Sequence, residues 1–364
     1  MMHNFYKHHI REKMNYNYDK VVYKTKKIFL EKINKKNLLK IRLRLLLIFI
    51  LRHRKGYHSI YSWKISLLAL SILNSYELNK DENNLLLVKK YCLNFNKTFD
   101  MKVIDSAVMG EVLFKMREIC KTEIYDKTIH KIYDYIVKYP EDSEGSKWYR
   151  VNDKNRIYAD TIGMICPFLA QYSVVFNQRN AMKLALLQID NFVKNAVDGD
   201  TGLFYHGYVK ETNLCFGIIG WGRAEGWILR GITGCLEYIK DTKKKSNYEN
   251  FLNNHFKLIS KYLIDNKYLS WQLSCKKGHI DTSTMSMILG AMIKFNKECG
   301  YPLNAEMIDG MLELVQDGCI QSCSAECNGL SEYPQIFGTY DFGQAFYLLF
   351  LTDFLMNNGD INGK

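Results

Sequence analysis

The sequence predicts an all-α fold in which twelve helices pair into six helical hairpins and close into a toroid. Helical spacing of apolar residues recurs along nearly the whole chain, and strand-like alternation is confined to short pieces such as "GLFYHGYV" at 202–209. The connectors come in two kinds. Those at 77–83 and 298–303 are short, whereas those at 140–159, 196–220, 266–280 and 318–340 are long, aromatic and rich in glycine. A long loop after every second helix gathers those loops on one rim, together with the N-terminal ends of the helices that follow. An open superhelix of helix pairs is the alternative, but no residue-level repeat of fixed period accompanies the pattern.

Taken in order, apolar stripes mark helices at 20–38, 57–77, 83–97, 102–120, 125–138 and 160–176. They continue at 179–195, 221–240, 247–265, 281–297, 304–317 and 341–357. Asp160, Asp281 and Asp341 stand where helices should begin, as carboxylates that accept from the first free backbone N–H groups. The segment "RLRLLLIFILRHRKG" holds an unbroken apolar run, Leu45 to Leu51, between Arg44 and Arg52. A membrane span needs about 20 such residues, so this run is expected to be a buried helix. Only four prolines occur, and no Pro/Gly/Ser-rich linker separates two halves. A single domain over 20–364, preceded by a basic extension at 1–19, is the expected organisation.

The chain of 364 residues is 47% hydrophobic, enough for one large core, and carries a formal net charge of +12. That charge is local. Residues 1–56 hold 16 Lys and Arg against 3 Asp and Glu, a net of +13, which leaves −1 for everything after. A neutral body argues against a nucleic-acid partner. The basic segment reads as a solvated face, with contact to an anionic membrane surface as the alternative. Most of the ten cysteines sit in apolar helical patterns, Cys166 in "GMICPFLA" and Cys235 in "GITGCLEYI", where a thiol behaves as a small hydrophobe. With no export signal in view, reduced thiols and a cytoplasmic location are expected. Cys319, Cys323 and Cys327 recur at a spacing of four, which on a helix would stack three thiols; no fourth ligand accompanies them, and no metal site is expected.

Four stretches fall where the shared rim should lie: "WYRVNDKNRIYADTIGMICPFLAQYS" (148–173), "GLFYHGY" (202–208), "WGRAEGW" (221–227) and "HIDTSTMSMILGAM" (279–292). Each has a local reading. Asp160 caps a helix. Asp105, in "KVIDSAVMGEVL", is either another cap or a carboxylate that would be costly to bury without a partner. His206, among aromatic residues, reads as a hydrogen-bonded structural histidine. Arg223 and Trp227 lie four apart on one helix face with Trp221 at its entrance. Indole rings suit the C–H faces of sugars and a guanidinium fork suits a carboxylate; a packing Trp pair with a surface Arg is the alternative.

In this order, and with twelve helices, the four stretches resemble the unsaturated glycuronyl hydrolases over about residues 57–357. The nearer likeness is to the unsaturated rhamnogalacturonyl hydrolases, the more distant one to the unsaturated glucuronyl hydrolases. The resemblance implies an (α/α)6 barrel of the six-hairpin glycosidase type. It also implies a glycoside hydrolase, without metal or cofactor, that removes a 4,5-unsaturated uronic acid from the non-reducing end of a lyase-generated oligosaccharide. Carried over residue by residue, it makes Asp160 the general acid/base and Asp105 its helper. His206 would orient substrate and water, and Trp221, Arg223 and Trp227 would shape the pocket.

The chain departs from the family pattern in several places, among them its C-terminal stretch "SAECNGLSEYPQIFGTYDFGQAF", whose aromatic loop before a final helix still fits a rim role. It reads Arg223-Ala224-Glu225-Gly226-Trp227 where Arg-Gly-Asn-Gly-Trp is common, Tyr158 where Trp is usual, and Arg150 where a Lys is expected. Tyr158 and Arg150 are taken as further substrate contacts. Glu225 would repel a uronate if it faced the pocket, so a carbohydrate-binding protein without turnover on the same barrel is the alternative function.

Overall fold

The computed structural model describes residues 2–34, positions 37, 39, 40, 43, 44 and 47, residues 59–327 and residues 332–357. Its helices are α1 (Met2–Ile33), α2 (Trp63–Asn79), α3 (Glu82–Thr98), α4 (Val108–Cys120), α5 (Asp126–Val137) and α6 (Ala159–Val175). They continue with α7 (Arg179–Ala196), α8 (Gly222–Leu236), α9 (Thr242–Ser260), α10 (Thr282–Cys299), α11 (Ala305–Glu313) and α12 (Asp341–Met356). Every stretch read as helical from its apolar stripe is occupied by one of these, and the differences lie at the ends. Asp281 caps α10 as expected, accepting from the Ser283 backbone N–H. Asp160 and Asp341 do not cap: each is already inside its helix, behind Tyr158 and Tyr340, because an extended segment runs directly into the first turn. Asp105 also caps nothing, lying in a 3₁₀ turn at Ile104–Ala107 ahead of α4.

The expected division at 19/20 falls inside α1. This helix runs unbroken from Met2 and buries Ile10, Met14 and Tyr18, whose phenol donates to the Ser75 carbonyl of α2 at 3.3 Å. The apolar stripe therefore continues upstream, hidden in the sequence by the Lys, Arg and His residues between its members. The apolar run at 45–51 lies outside the described residues except for Leu47, which is exposed. No described helix is long and apolar enough to cross a membrane.

The even-numbered helices form an inner ring. Each packs on the next, and α12 closes the circle on α2. The odd-numbered helices form the outer layer, each against its inner neighbours. Composition separates the two layers. Every residue of α8 is buried, as a helix enclosed on all sides requires, while α5 buries only a stripe through Ile129, Ile132 and Ile136.

The α6–α8 seam is the closest in the ring. A Cβ on Gly163 would lie 2.4 Å from the Trp227 ring and 2.7 Å from the Trp227 carbonyl oxygen. Facing it, a Cβ on Gly231 would meet Ile162 at 2.8 Å. Pro167 sits within α6 and has no N–H to give the Gly163 carbonyl four residues back. Arg230 of α8 donates to that carbonyl instead, and its other nitrogen donates to both carboxylate oxygens of Glu111 on α4 at 2.9 Å. One buried arginine thus ties three inner helices.

The rim loops carry short strands. β1 (Arg156–Tyr158), β2 (Gly207–Val209) and β3 (Leu214–Phe216) form an antiparallel sheet in which Tyr158 lies opposite Gly207. β4 (Val315–Gln316) pairs with β5 (Cys319–Ile320) across Asp317 and Gly318, both at positive φ as a tight hairpin turn demands. β6 (Cys323–Ser324) pairs with β7 (Phe337–Gly338). Cys319 and Cys323 are therefore strand residues and Cys327 lies in a loop, so the thiols share no helical stripe.

Two glycines test this packing with opposite signs. Gly163→Ala gains up to about 1 kcal/mol of helix propensity but overpacks the seam, for a net loss of about 1–2 kcal/mol. Gly290, inside α10, has nothing within 4 Å of a built Cβ. Gly290→Ala should stabilise by about 0.5–1 kcal/mol. Urea denaturation of both variants reads the contrast, and shifts of the same sign would refute the packing account.

Candidate active site

β1 runs straight into α6, and its pairing with β2 brings the His206 segment beside the start of that helix. The Ala159 backbone N–H donates to the His206 carbonyl at 3.0 Å. With the backbones so fixed, His206 Nε2 lies 2.8 Å from Asp160 Oδ2. Asp160 is 9% exposed and occupies the first turn of an inner helix, where the free N–H groups favour a negative charge. His206 is 1% exposed, and its other nitrogen, Nδ1, lies 2.6 Å from the Tyr333 hydroxyl. Its ring meets Trp221 edge-on at 4.4 Å and Tyr158 at 5.0 Å.

Asp105 and Arg150 form a second pair. Arg150 donates to Asp105 Oδ2 at 2.6 Å and to the Tyr149 carbonyl at 2.9 Å, and its guanidinium lies 3.8 Å over the Tyr149 ring. The 3₁₀ turn that carries Asp105 packs on α6, so the pair stands beside Asp160. The Tyr149 hydroxyl donates to Asp105 Oδ2 at 3.4 Å. Burial pushes its phenol well above the usual range, with Arg150 opposing and Asp105 and Asp160 adding to the rise. Arg150 is therefore the partner of Asp105.

At the start of α8, Trp221 is the N-cap residue and Arg223 follows in the first turn. The guanidinium lies 4.6 Å over the Trp221 ring and donates to the Ser324 carbonyl at 2.9 Å, the Ser324 hydroxyl and the Ala325 carbonyl at 2.6 Å. Trp227, 1% exposed, packs edge-on against Trp63 at 5.5 Å and Phe346 at 5.3 Å, deeper than the rim. Glu225 is wholly buried and turned the other way. Its Oε1 accepts from the Phe204 backbone N–H at 2.8 Å and its Oε2 lies 2.7 Å from His255 Nε2. It anchors the loop leading to His206 and faces α9, not the rim. Tyr158 is likewise buried, its hydroxyl donating to Asp153 at 3.0 Å and its ring beneath His206 and Phe216.

The structure thus gathers Asp160, His206, Trp221 and Tyr158 into one cluster, with Asp105 and Arg150 beside it, while Trp227 lies below. Several neighbours were not among the residues singled out from sequence. Tyr333 arrives from the 318–340 loop, whose aromatic content was its only signal. Cys327 adjoins Arg223 and Asp160, and burial pushes its thiol up to about 12. Lys64, in the first turn of α2, pairs with Glu326; burial opposes its charge, but Glu326, Asp341 and Asp105 hold its pKa above the usual value. A cavity of about 670 Å³ opens at the opposite mouth of the barrel, lined in part by Glu111, Arg230 and Asp353, and none of the candidate residues reaches it. Among the described residues no group of three His, Cys, Asp or Glu side chains is placed to hold a metal ion.

The same ring of helices recurs in known proteins. The chain is 21% identical over 311 residues to the unsaturated rhamnogalacturonyl hydrolase YesR of Bacillus subtilis (strain 168), covering 81% of this chain and 90% of that protein. A family 105 glycoside hydrolase from C. acetobutylicum ATCC 824 superposes with a TM-score of 0.73 at 22% identity, covering 86% of this chain and 99% of that one. The unsaturated glucuronyl hydrolase of Bacillus sp. GL1 superposes with a TM-score of 0.66 at 13% identity, covering 84% and 89%. These likenesses establish the six-hairpin barrel. The description Glycosyl Hydrolase Family 88 matches residues 49–357, a span that takes in every inner helix and every rim loop that carries a candidate residue, and the chain belongs to that family.

Proposed function

We propose that this glycoside hydrolase removes a 4,5-unsaturated uronic acid from the non-reducing end of a lyase-generated oligosaccharide, with Asp160 as its one acid and base. The observation that carries the reading is the asymmetry of the Asp160 carboxyl. One oxygen is anchored on His206 at 2.8 Å, and the other is left for a proton and a substrate. The other nearby carboxylate, Asp105, is already engaged by Arg150 at 2.6 Å. A retaining or inverting glycosidase needs two free carboxyl groups. Hydration of a vinyl ether needs one group that gives a proton and then takes one. The B. subtilis and Bacillus sp. GL1 relatives, both hydrolases of unsaturated uronyl groups, support the same substrate class.

The steps balance on one carboxyl. Protonated Asp160 gives its proton to C4, and the electron pair of the C4=C5 bond forms the new C–H bond. The ring oxygen shares its lone pair with the cation left at C5. Water adds at C5 while the Asp160 carboxylate takes the proton that water loses. The resulting hemiketal opens at its C5–O bond to a ketone, and the hemiacetal exposed at C1 releases the rest of the saccharide. Both proton transfers use one group whose pKa must lie near the working pH. Asp105 and Arg150 bind sugar hydroxyls beside it, and Trp221 offers its ring edge to the sugar.

Asp160→Asn tests the reading directly. Asparagine keeps the size and can still accept from His206, so the protein should fold and bind an unsaturated disaccharide. Turnover, followed by loss of the conjugated double bond's absorbance, should fall about 10²–10⁴-fold. A folded Asp160→Asn with full activity would rule the mechanism out.

Glu225 supplies a second test, since a pocket-facing carboxylate would repel a uronate. Glu225→Gln should leave KM unchanged and lower stability by about 1–3 kcal/mol, because the buried contact with His255 loses its charge. A fall in KM with unchanged stability would put Glu225 in the pocket instead.

A further inference from the structure

We propose that Tyr333 is a positioning residue of this site: its hydroxyl donates to Nδ1 of His206 and so fixes the tautomer that turns Nε2–H toward Asp160. The proposal deepens the reading of Asp160 as acid and base and rests on it for its catalytic consequence. A neutral imidazole carries one N–H and one bare nitrogen. The Asp160 carboxylate can only accept, so the nitrogen facing it at 2.8 Å must be the N–H. Nδ1 is then bare inside a residue 1% exposed, and it needs a donor. The Tyr333 oxygen stands 2.6 Å away.

Three further observations support the assignment. Burial raises the Tyr333 phenol well above its usual value, so the hydroxyl keeps the proton it donates, and the Ile218 backbone bonds to the same oxygen. Gly217 clears the path: it stands at φ +86°, and a Cβ there would lie 2.4 Å from the Tyr333 oxygen and 2.5 Å from His206 Cβ. The β6–β7 hairpin that delivers Tyr333 is tied down from below. Asp281 accepts from the Ser324 backbone N–H at 3.0 Å and from its hydroxyl at 2.8 Å, and Arg223 donates to the Ser324 and Ala325 carbonyls. Arg223, expected to grip a uronate, instead holds the segment that reaches His206.

The consequence concerns where Asp160 carries its proton. With Oδ2 accepting from Nε2–H, the titrating proton goes to Oδ1, the oxygen free to meet substrate. The charged and titratable groups facing the pair are Tyr158 from β1, Tyr149 with the Asp105–Arg150 pair, and Cys327 with Arg223. All of these remain unchanged in a Tyr333→Phe variant.

The experiment is ¹⁵N NMR of the imidazole nitrogens in the full-length protein, with His206 assigned by comparison with a His206→Gln variant, followed by kinetics of Tyr333→Phe. The wild type should show a neutral ring with its proton on Nε2. Tyr333→Phe should lose that signature and lower kcat about 10–100-fold with KM unchanged. A wild-type proton on Nδ1, or a Tyr333→Phe variant with the wild-type spectrum and kcat, would overturn the proposal. The wild-type spectrum needs no substrate. A correct tautomer in a protein that leaves an unsaturated uronyl disaccharide intact would sustain the positioning role and defeat the functional reading instead.

Discussion

A carboxylate and an imidazole held 2.8 Å apart in a site almost closed to water set the terms for the rest of this molecule. Burying either group alone costs several kcal/mol, so each must keep its partner. The contact joins residues 46 positions apart, and a two-strand ladder provides the link, with Tyr158 opposite Gly207. The ladder is itself anchored one step further out. Glu225, charged and fully buried, accepts from the Phe204 backbone and meets His255 of α9. A polar chain therefore runs from the outer helical layer to the acid, and each member satisfies the next.

The barrel contributes the other half of the constraint. Six inner helices begin at one rim, so the first turn of each presents free N–H groups to a common space. Asp160, Trp221 with Arg223, and Asp281 all stand in or beside those first turns. Their convergence depends on how closely the helices approach, which Gly163 and Gly231 set at the α6–α8 seam. The proline in α6 would leave a buried carbonyl without a partner, and Arg230 supplies one from the next helix. The contacts of Asp160, His206, Glu225 and Arg230 follow one rule, that a group removed from water finds a donor or acceptor on a neighbouring element.

The ring was legible in the sequence because periodicity reports burial, and burial is what separates inner from outer helices. Helix entrances were less legible: α2, α4 and α9 begin five or six residues from where the apolar stripes place them. Asp281 caps as read, but at Asp160 an extended strand feeds the helix and Tyr158 takes the cap position. The start of α1 was hidden because cationic residues dilute its apolar stripe. The orientation of Glu225 was available from helix geometry alone, since two residues along a helix turn through about 200° and point away from the Arg223 and Trp227 face. What no local rule supplies is contact across distance. Tyr333 reaches His206 over 127 positions, and Trp227 is closed off by Trp63 and Phe346 from helices at the two ends of the chain.

Arg223 shows how a residue of the right type can serve a site indirectly. Its position in the first turn of α8 suits an anion, and sequence alone assigns it to a carboxylate. Its nitrogens instead meet the backbone and hydroxyl of the hairpin that closes the rim, 3.9 Å from Asp281. A guanidinium held between an aspartate, two carbonyls and two aromatic rings is already solvated by protein, and substrate would have to replace those bonds to use it. The same bonds fix β6, the strand ahead of the segment that carries Tyr333. Charge at α8 is thereby converted into geometry at His206, and from there into the placement of a proton on Asp160.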